Sequence, residues 1–311
     1  MKIYSLSSDA KTSALPQQAT AVALGRFDGV HIGHKALISA MVSHARNNQL
    51  IPLVWMINCT CRDRCNGEGC KGQLLTNTSE KLELFRQLGV EYAVVENFAD
   101  ICHLSPDEFI NKKLHNALGC CAAFCGENFR YGKGAEGTPS ALAHQMADFG
   151  GQVFVTPFVT IDNEIVSSTA IRTALSCGDM SKAATMLGRE YSISGNVIHG
   201  QKLGRKLGFP TANILYPKEK FTLPYGVYRS CFETGSKRYP AVTNIGIRPS
   251  VGGEQVLVES HLFEFSQDLY NQNATLYLHE FIRPERRFNS MEELESAIAT
   301  DIAVAREGWG M

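Results

Sequence analysis

The chain has 311 residues, 44% of them hydrophobic, with 30 Lys and Arg against 31 Asp and Glu and a formal net charge of −1. That length accommodates roughly two domains with buried cores, and a near-neutral balance without a long basic run excludes a counterion-release grip on nucleic acid. The opening MKIYSLSSDAKTSALPQQ lacks the apolar core of a signal peptide and no apolar run reaches the ~18 residues of a membrane span, so the expected home is the cytoplasm, with no membrane partner.

Up to residue 187, apolar strand-like runs alternate with helical patterns. TAVALG (20–25), IPLVWMIN (51–58), EYAVVEN (91–97), CCAAFCG (120–126) and GQVFVTPF (151–158) read as strands. Between them KALISAMVSHAR (35–46), SEKLELFRQLG (79–89), SPDEFINKKLHNALG (105–119) and ALAHQMADFG (141–150) carry apolar residues at helical spacing, several closing on a capping glycine. The alternation predicts βαβ units, a parallel sheet, and ligands beyond the carboxyl ends of its strands. A first domain over 1–187 and a second over 188–311 are expected.

The first run ends in LGRFDGVHIGHKAL (24–37). Gly25, Gly29 and Gly33 allow close backbone approach, and His31 and His34 stand where loop becomes helix. A helix N-terminus offers unpaired N–H groups and partial positive charge, so histidines there suit a phosphate and the charge that develops as it transfers. A lone H-x-x-H is equally a pair of surface histidines or a metal pair. In EIVSSTAIRTAL (164–175), Ser167, Ser168 and Thr169 precede a short apolar helix as capping residues do. Arg172 falls one turn in, within reach of a phosphate at the same end; an ordinary cap with a solvated arginine has the same pattern.

The ten cysteines are unevenly placed: Cys59, Cys61, Cys65 and Cys70 cluster in NCTCRDRCNGEGC, and Cys120, Cys121 and Cys125 in CCAAFC. The second group sits among apolar residues on a strand and is expected as packed thiols. The first group fits the C-x₂₋₄-C pairs of a zinc site only loosely, so a reactive or tolerated thiol cluster is preferred to zinc.

From residue 188 the pattern changes. YSISGNVIHG (191–200), GVYRSCFET (226–234), RYPAVTNIG (238–246), VLVESHLFEF (256–265) and ATLYLHEFI (274–282) are separated by Gly- and Pro-containing turns and followed by amphipathic SMEELESAIATDIAVARE (290–307). They predict a small antiparallel barrel with a closing helix. HGQKLGRKLGFPTAN (199–213) is not a P-loop. Its Gly200, Gly204 and Gly208 allow a tight fold over a phosphate, with Arg205 and Lys206 supplying charge. Thr211 and Asn213, two apart on an extended chain, present oxygens on one side that suit Mg²⁺. Glu259 shares a strand face with Leu257 and His261, and a charge on an apolar strand needs a partner. Near a cation it suits a general base; the alternative is an edge-strand glutamate facing water.

GRFDGVHIGH resembles the H-x-G-H signature of the nucleotidyltransferase superfamily. Essentially the whole chain resembles the bacterial bifunctional riboflavin kinase/FMN adenylyltransferase family, also called FAD synthetases, through separated motifs in the same order. The resemblance implies a Rossmann-like nucleotidyltransferase domain followed by a riboflavin-kinase barrel. It also implies riboflavin, FMN and ATP as substrates, and Mg²⁺ with ATP. It implies ATP or phosphate contacts at Gly25, Phe27, Asp28, Gly29, Gly33, Ser167, Ser168, Thr169 and Arg172, with His31 and His34 serving adenylyl transfer. Asn128, Phe129 and Arg130, in GENFRYGKGAEG (126–137), match the flavin-side loop. In the second half it implies phosphate contacts at Gly200, Gly204, Arg205 and Gly208, ligation of metal and phosphate by Thr211 and Asn213, and Glu259 as base for the riboflavin 5′-hydroxyl. LPYGVYRS, with Gly226 and Tyr228, and TNIGIRPSVGG (243–253) are similar to segments lining the kinase clefts. The arginines of FIRPERRF (281–288) frame the flavin end or form a solvated face.

The chain departs from the family pattern twice. CTCRDRCNGEGCKGQ (59–73) replaces the usual Phe-x-Pro-His-Pro stretch, and Arg26 stands where asparagine is common. A neutral loop replacement, a thiol–metal site and weakened adenylylation are all compatible with this. The alternative expectation is therefore a riboflavin kinase alone, its N-terminal half weakened or turned into a cysteine-based metal or redox interaction module. Oligomeric state is not readable from the sequence.

Overall fold

The alternating runs of the first half form one fully parallel sheet in the computed structural model, which describes residues 1–4, 18–58, 74–200, 204, 207–250 and 253–311. The chain divides into two units, Met1–Ser168 and Thr169–Met311. The first holds β1 (Lys2–Tyr4), β2 (Thr20–Gly25), α1 (Ile32–Asn47), β3 (Ile51–Asn58), α2 (Thr78–Gln87), β4 (Tyr92–Asn97) and α3 (Phe98–Ile101). There follow α4 (Pro106–Glu108) running into a π-helix (Phe109–Ala117), β5 (Cys120–Gly126), α5 (Pro139–Ala147), β6 (Gln152–Thr156) and the hairpin of β7 (Thr160–Ile161) with β8 (Glu164–Ile165). Val22, Ala23, Leu53, Val54, Ala93 and Val94 are fully buried, because both faces of the central strands carry a core. Strands buried on both faces read as apolar runs, which is why they were visible in sequence.

The strand order is β1-β4-β3-β2-β5-β6. From β2 the chain winds to β3 and β4 on one side, then returns to lay β5 on the other side of β2. Winding reverses between β2 and β5, and doubly wound sheets bind ligands at that crevice, beyond the strand carboxyl ends.

Three details differ from expectation. β1 adds an edge of three residues, too short for a period. Most of 105–119 is a π-helix, ending with the Leu118 N–H on the Lys113 carbonyl (3.1 Å). Cys120 and Cys125 are packed, the Cys125 thiol pushed up to about 11 by burial, but Cys121 is exposed. Thr20 pairs with Cys120 and Ala21 with Ala122, so Cys121 is the extra residue of a bulge against β2. Cys59, Cys61, Cys65 and Cys70 lie outside the described residues.

The second unit holds α6 (Ser168–Ser176, whose first residue belongs to the other unit), α7 (Met180–Leu187), β9 (Tyr191–Ile198), β10 (Ala212–Leu215), β11 (Gly226–Thr234), β12 (Lys237–Ser250), β13 (Gly253–Leu262), β14 (Asn273–Pro284) and α8 (Met291–Trp309). Its six strands close into an antiparallel barrel in the order β10-β13-β12-β11-β14-β9. Ile193, Ile214, Tyr228, Phe232, Ile245, Val258 and Leu276 fill the interior, together with a hydroxyl row in which Thr243 meets Ser230 (2.7 Å) and Ser260 (2.8 Å). α8 covers Val227, Val242 and Phe263 on the outside and is fastened by Arg283, whose Nε and Nη2 donate to the two oxygens of Asp301 (2.7 and 2.6 Å). The strand pattern starts after 187, whereas the units divide at 168/169, because α6 and α7 group with the barrel.

Candidate active sites

At the carboxyl end of β2 the backbone turns tightly: Phe27 (φ 50°), Gly29 (φ 85°) and Val30 (φ 40°) are left-handed, and the Val30 N–H donates to the Phe27 carbonyl (3.1 Å). Left-handed Phe and Val are uncommon and persist only where the surroundings hold them. The Phe27 ring, 2% exposed, meets the rings of His34 (5.3 Å) and Phe85 (5.6 Å) edge-on. A Cβ at Gly25 would stand 3.1 Å from it, so Gly25 makes room for Phe27. Asp28 Oδ1 accepts from the N–H groups of Leu75 (3.0 Å) and Thr76 (3.3 Å), while the Gly29 N–H donates to Thr76 Oγ1 (2.9 Å). Buried Lys81 donates through Nζ to the Arg26 carbonyl (3.2 Å). The side chains of Phe27 and Asp28 both point inward and brace the loop.

His31 caps α1. Its Nδ1 accepts the His34 N–H (3.4 Å). The two imidazoles stack at 3.6 Å and 19°, and a Cβ at Gly33 would stand 3.3 Å from His31 Nδ1. In H-x-G-H the first histidine thus folds over the glycine onto the second. α1 has no acid in its first turn, so the positive end of its dipole is unopposed by its own side chains. Ser168 Oγ donates to the Asp28 carbonyl (2.8 Å), tying Ser168 to this loop. Ser167 is half-buried beside it; Thr169 and the half-buried Arg172 continue along α6 in the other unit.

β5 is the parallel neighbour of β2, so the loop after Gly126 leaves the sheet at the same carboxyl end. Asn128 and Arg130 are exposed, and Arg130 Nη1 donates to the Phe129 carbonyl (2.8 Å). Half-buried Phe129 stacks on Tyr131 (5.9 Å), then come Phe109 (4.9 Å) and Trp55 (4.8 Å), an aromatic file from the sheet to the loop. Burial pushes the Tyr131 hydroxyl up to about 12, so it stays protonated.

In the barrel, Asn213, Glu259 and Asn244 are register partners across β10, β13 and β12, on the face opposite the interior residues Ile214, Val258 and Ile245. Asn213 is 4% exposed; its Nδ2 donates to the Thr211 carbonyl (3.3 Å), and its Oδ1 is buried without a hydrogen-bond partner. Gly200 lies on this amide, since a Cβ there would stand 2.5 Å from Nδ2. A buried acceptor left open beside a second oxygen residue fits a hard cation. Gly204 accepts from the N–H groups of Phe209 (2.7 Å) and Leu207 (3.2 Å), and Gly208 is left-handed (φ 83°). His261 shares a hydrogen bond with the Pro210 carbonyl (2.9 Å), so it supports this loop. Arg205 lies outside the described residues. Glu259 is paired: its Oε2 accepts from Arg248 Nη2 at 2.6 Å.

Two residues expected on the flavin side pack within the barrel. Tyr228 is fully buried inside the barrel, its hydroxyl donating to the Pro224 carbonyl (2.5 Å) and pushed upward by burial. Gly226 is needed for close approach to β14: a Cβ there would overlap the Arg283 carbonyl. The sequence reading missed Thr76, Lys81, Asn244 and Arg248 as members of these sites. Among the described residues no cluster suits a structural metal such as zinc, and no helix is long and apolar enough to cross a membrane.

Comparison with known proteins matches residues 14–170 to the FAD synthetase family model and residues 187–309 to the riboflavin kinase model. The chain is 34% identical over 302 residues to the bifunctional riboflavin kinase/FMN adenylyltransferase of Escherichia coli (strain K12), with 96% of each covered. It is 34% identical over 289 residues to the enzyme of that name from Bacillus subtilis (strain 168), covering 92% of this chain and 91% of that one. A crystal structure described as a macrolide-efflux protein from Streptococcus pneumoniae superposes with a TM-score of 0.86 at 25% identity, over 98% of this chain and 99% of that one.

Proposed function

This chain belongs to the bifunctional riboflavin kinase/FMN adenylyltransferase family, and we propose that it makes FMN from riboflavin and FAD from FMN at two separate sites. What supports this reading is that the two halves carry different candidate phosphate sites: a histidine-capped helix in the sheet unit, and the open Asn213 acceptor beside Glu259 in the barrel.

In the barrel, the riboflavin 5′-hydroxyl attacks the γ-phosphorus of ATP, Glu259 takes its proton, and ADP leaves. Thr211 and Asn213 would hold the Mg²⁺ that accompanies ATP, which supplies positive charge to the transferring phosphoryl group. Gly200, Gly204 and Gly208 let the loop close over the phosphates. In the sheet unit, an FMN phosphate oxygen attacks the α-phosphorus of ATP and pyrophosphate leaves, without a covalent enzyme intermediate. His31, through Nε2, and His34 donate to phosphate oxygens at the α1 N-terminus, with Ser168 held on the same loop by the Asp28 carbonyl. Asn128, Phe129 and Arg130 receive the flavin. The two loops leave adjacent strands, an arrangement that favours alignment of nucleophile and phosphorus. Location in the cytoplasm is part of this proposal.

Incubation with riboflavin, ATP and Mg²⁺ followed by chromatography of the flavins tests it. Both FMN and FAD are expected. Glu259→Gln should lower FMN formation by about 100-fold or more while still converting supplied FMN to FAD, and His31→Ala should do the reverse. FMN accumulating without FAD contradicts the second activity; loss of both activities in either variant contradicts two separate sites.

A further inference from the structure

We propose that Arg248 is a positioning residue for the kinase base, a role that rests on reading Glu259 as that base. The two residues are not register neighbours. Arg248 faces Gln255 and Glu259 faces Asn244, with the row Gly246–Leu257 between them. Four residues of strand correspond to about 13 Å, so both long side chains lie along their strands to meet at 2.6 Å. With Arg248 45% exposed, such a pair adds little to stability. Its consequence is local: it holds one carboxylate oxygen, Oε2, and leaves Oε1 to face the substrate hydroxyl.

The surroundings make this choice of partner meaningful. A Cβ at Gly246 would overlap Glu285 Oε1, so a second carboxylate stands in the row between Arg248 and Glu259. Among the described residues Arg248 pairs with Glu259 and not with Glu285, and no other cation pairs with Glu259. Removing the guanidinium frees the Glu259 side chain to take other rotamers and leaves it near an unneutralised like charge. A base that spends less time aimed at the hydroxyl lowers turnover without changing how substrate binds.

The test is steady-state FMN formation by the full-length chain. Arg248→Met should lower kcat about tenfold with KM for riboflavin and for ATP within twofold, and Arg248→Lys should recover part of the loss. The Glu259→Gln/Arg248→Met double variant should be no slower than Glu259→Gln alone, since there is then no base to aim. Parental or raised kcat in Arg248→Met, beside an inactive Glu259→Gln, overturns the positioning role alone. A rise in KM at unchanged kcat, or a further tenfold loss in the double variant, assigns Arg248 to substrate contact and also overturns it. Parental kcat in Glu259→Gln overturns the base reading and the proposal with it.

Discussion

Gly33→Ala sets two effects of opposite sign against each other. Gly33 is in the first turn of α1, where alanine is the better helix former by at most about 1 kcal/mol. Its backbone is not left-handed, so the substitution carries no conformational penalty of that kind. The new methyl would, however, stand 3.3 Å from His31 Cε1 and Nδ1, closer than ordinary contact, and the imidazole must give by a few tenths of an ångström. The ring is already stacked at 3.6 Å on His34, so it cannot yield in that direction. If about 1 Å of misplacement costs on the order of 100-fold in rate, this shift corresponds to about three- to tenfold. The variant should therefore unfold at the same temperature as the parent or slightly above it, form FAD from supplied FMN about three- to tenfold more slowly, and form FMN at the parental rate. Thermal denaturation and the two-flavin chromatographic assay read these outcomes. Parental FAD formation would show that the packing of His31 on Gly33 does not set the position of a catalytic group.

Three further outcomes follow from the barrel. Asp301→Ala removes both carboxylate partners of Arg283 and should cost about 1.5–3 kcal/mol, visible as a lowered urea midpoint for the barrel transition. Thr243→Val interrupts the buried row Ser230–Thr243–Ser260 with little change in volume and should cost about 1–3 kcal/mol in the same measurement. Burial holds the His279 imidazole below its ordinary value of 6.5, against the favourable influence of Glu190, so the barrel loses stability as pH falls through and below that value, where the unfolded chain takes up the proton first. His279→Gln should flatten the decline of the unfolding midpoint between about pH 7 and 5; an unchanged slope would exclude His279 as its source.

What could be read in advance follows from how local each signal is. The sheet strands are apolar runs because both their faces are covered, and the barrel strands alternate because one face is covered, so both architectures showed in single segments. His31 and His34 were found because loop and helix are contiguous there. The direction of Phe27 and Asp28 was not readable, since a turn with left-handed Phe and Val overrides any strand parity. Their partners Thr76 and Lys81 are about fifty residues away and are recognised only through contact. The direction of Tyr228 follows only from the register: Glu259 faces outward, its neighbour Ser260 faces inward, and Thr243 and Tyr228 lie across from Ser260. The Arg248–Glu259 pair needed the register of the closed barrel, because no spacing in sequence joins those two residues.

Equilibrium binding of a non-hydrolysable Mg·ATP analogue, counted per chain at saturation, tests the two-site account most directly. Two equivalents are expected, falling to one in Asn213→Ala and, independently, to one or a much weaker second in His31→Ala. A single equivalent in the parent chain, abolished by either substitution, would contradict it.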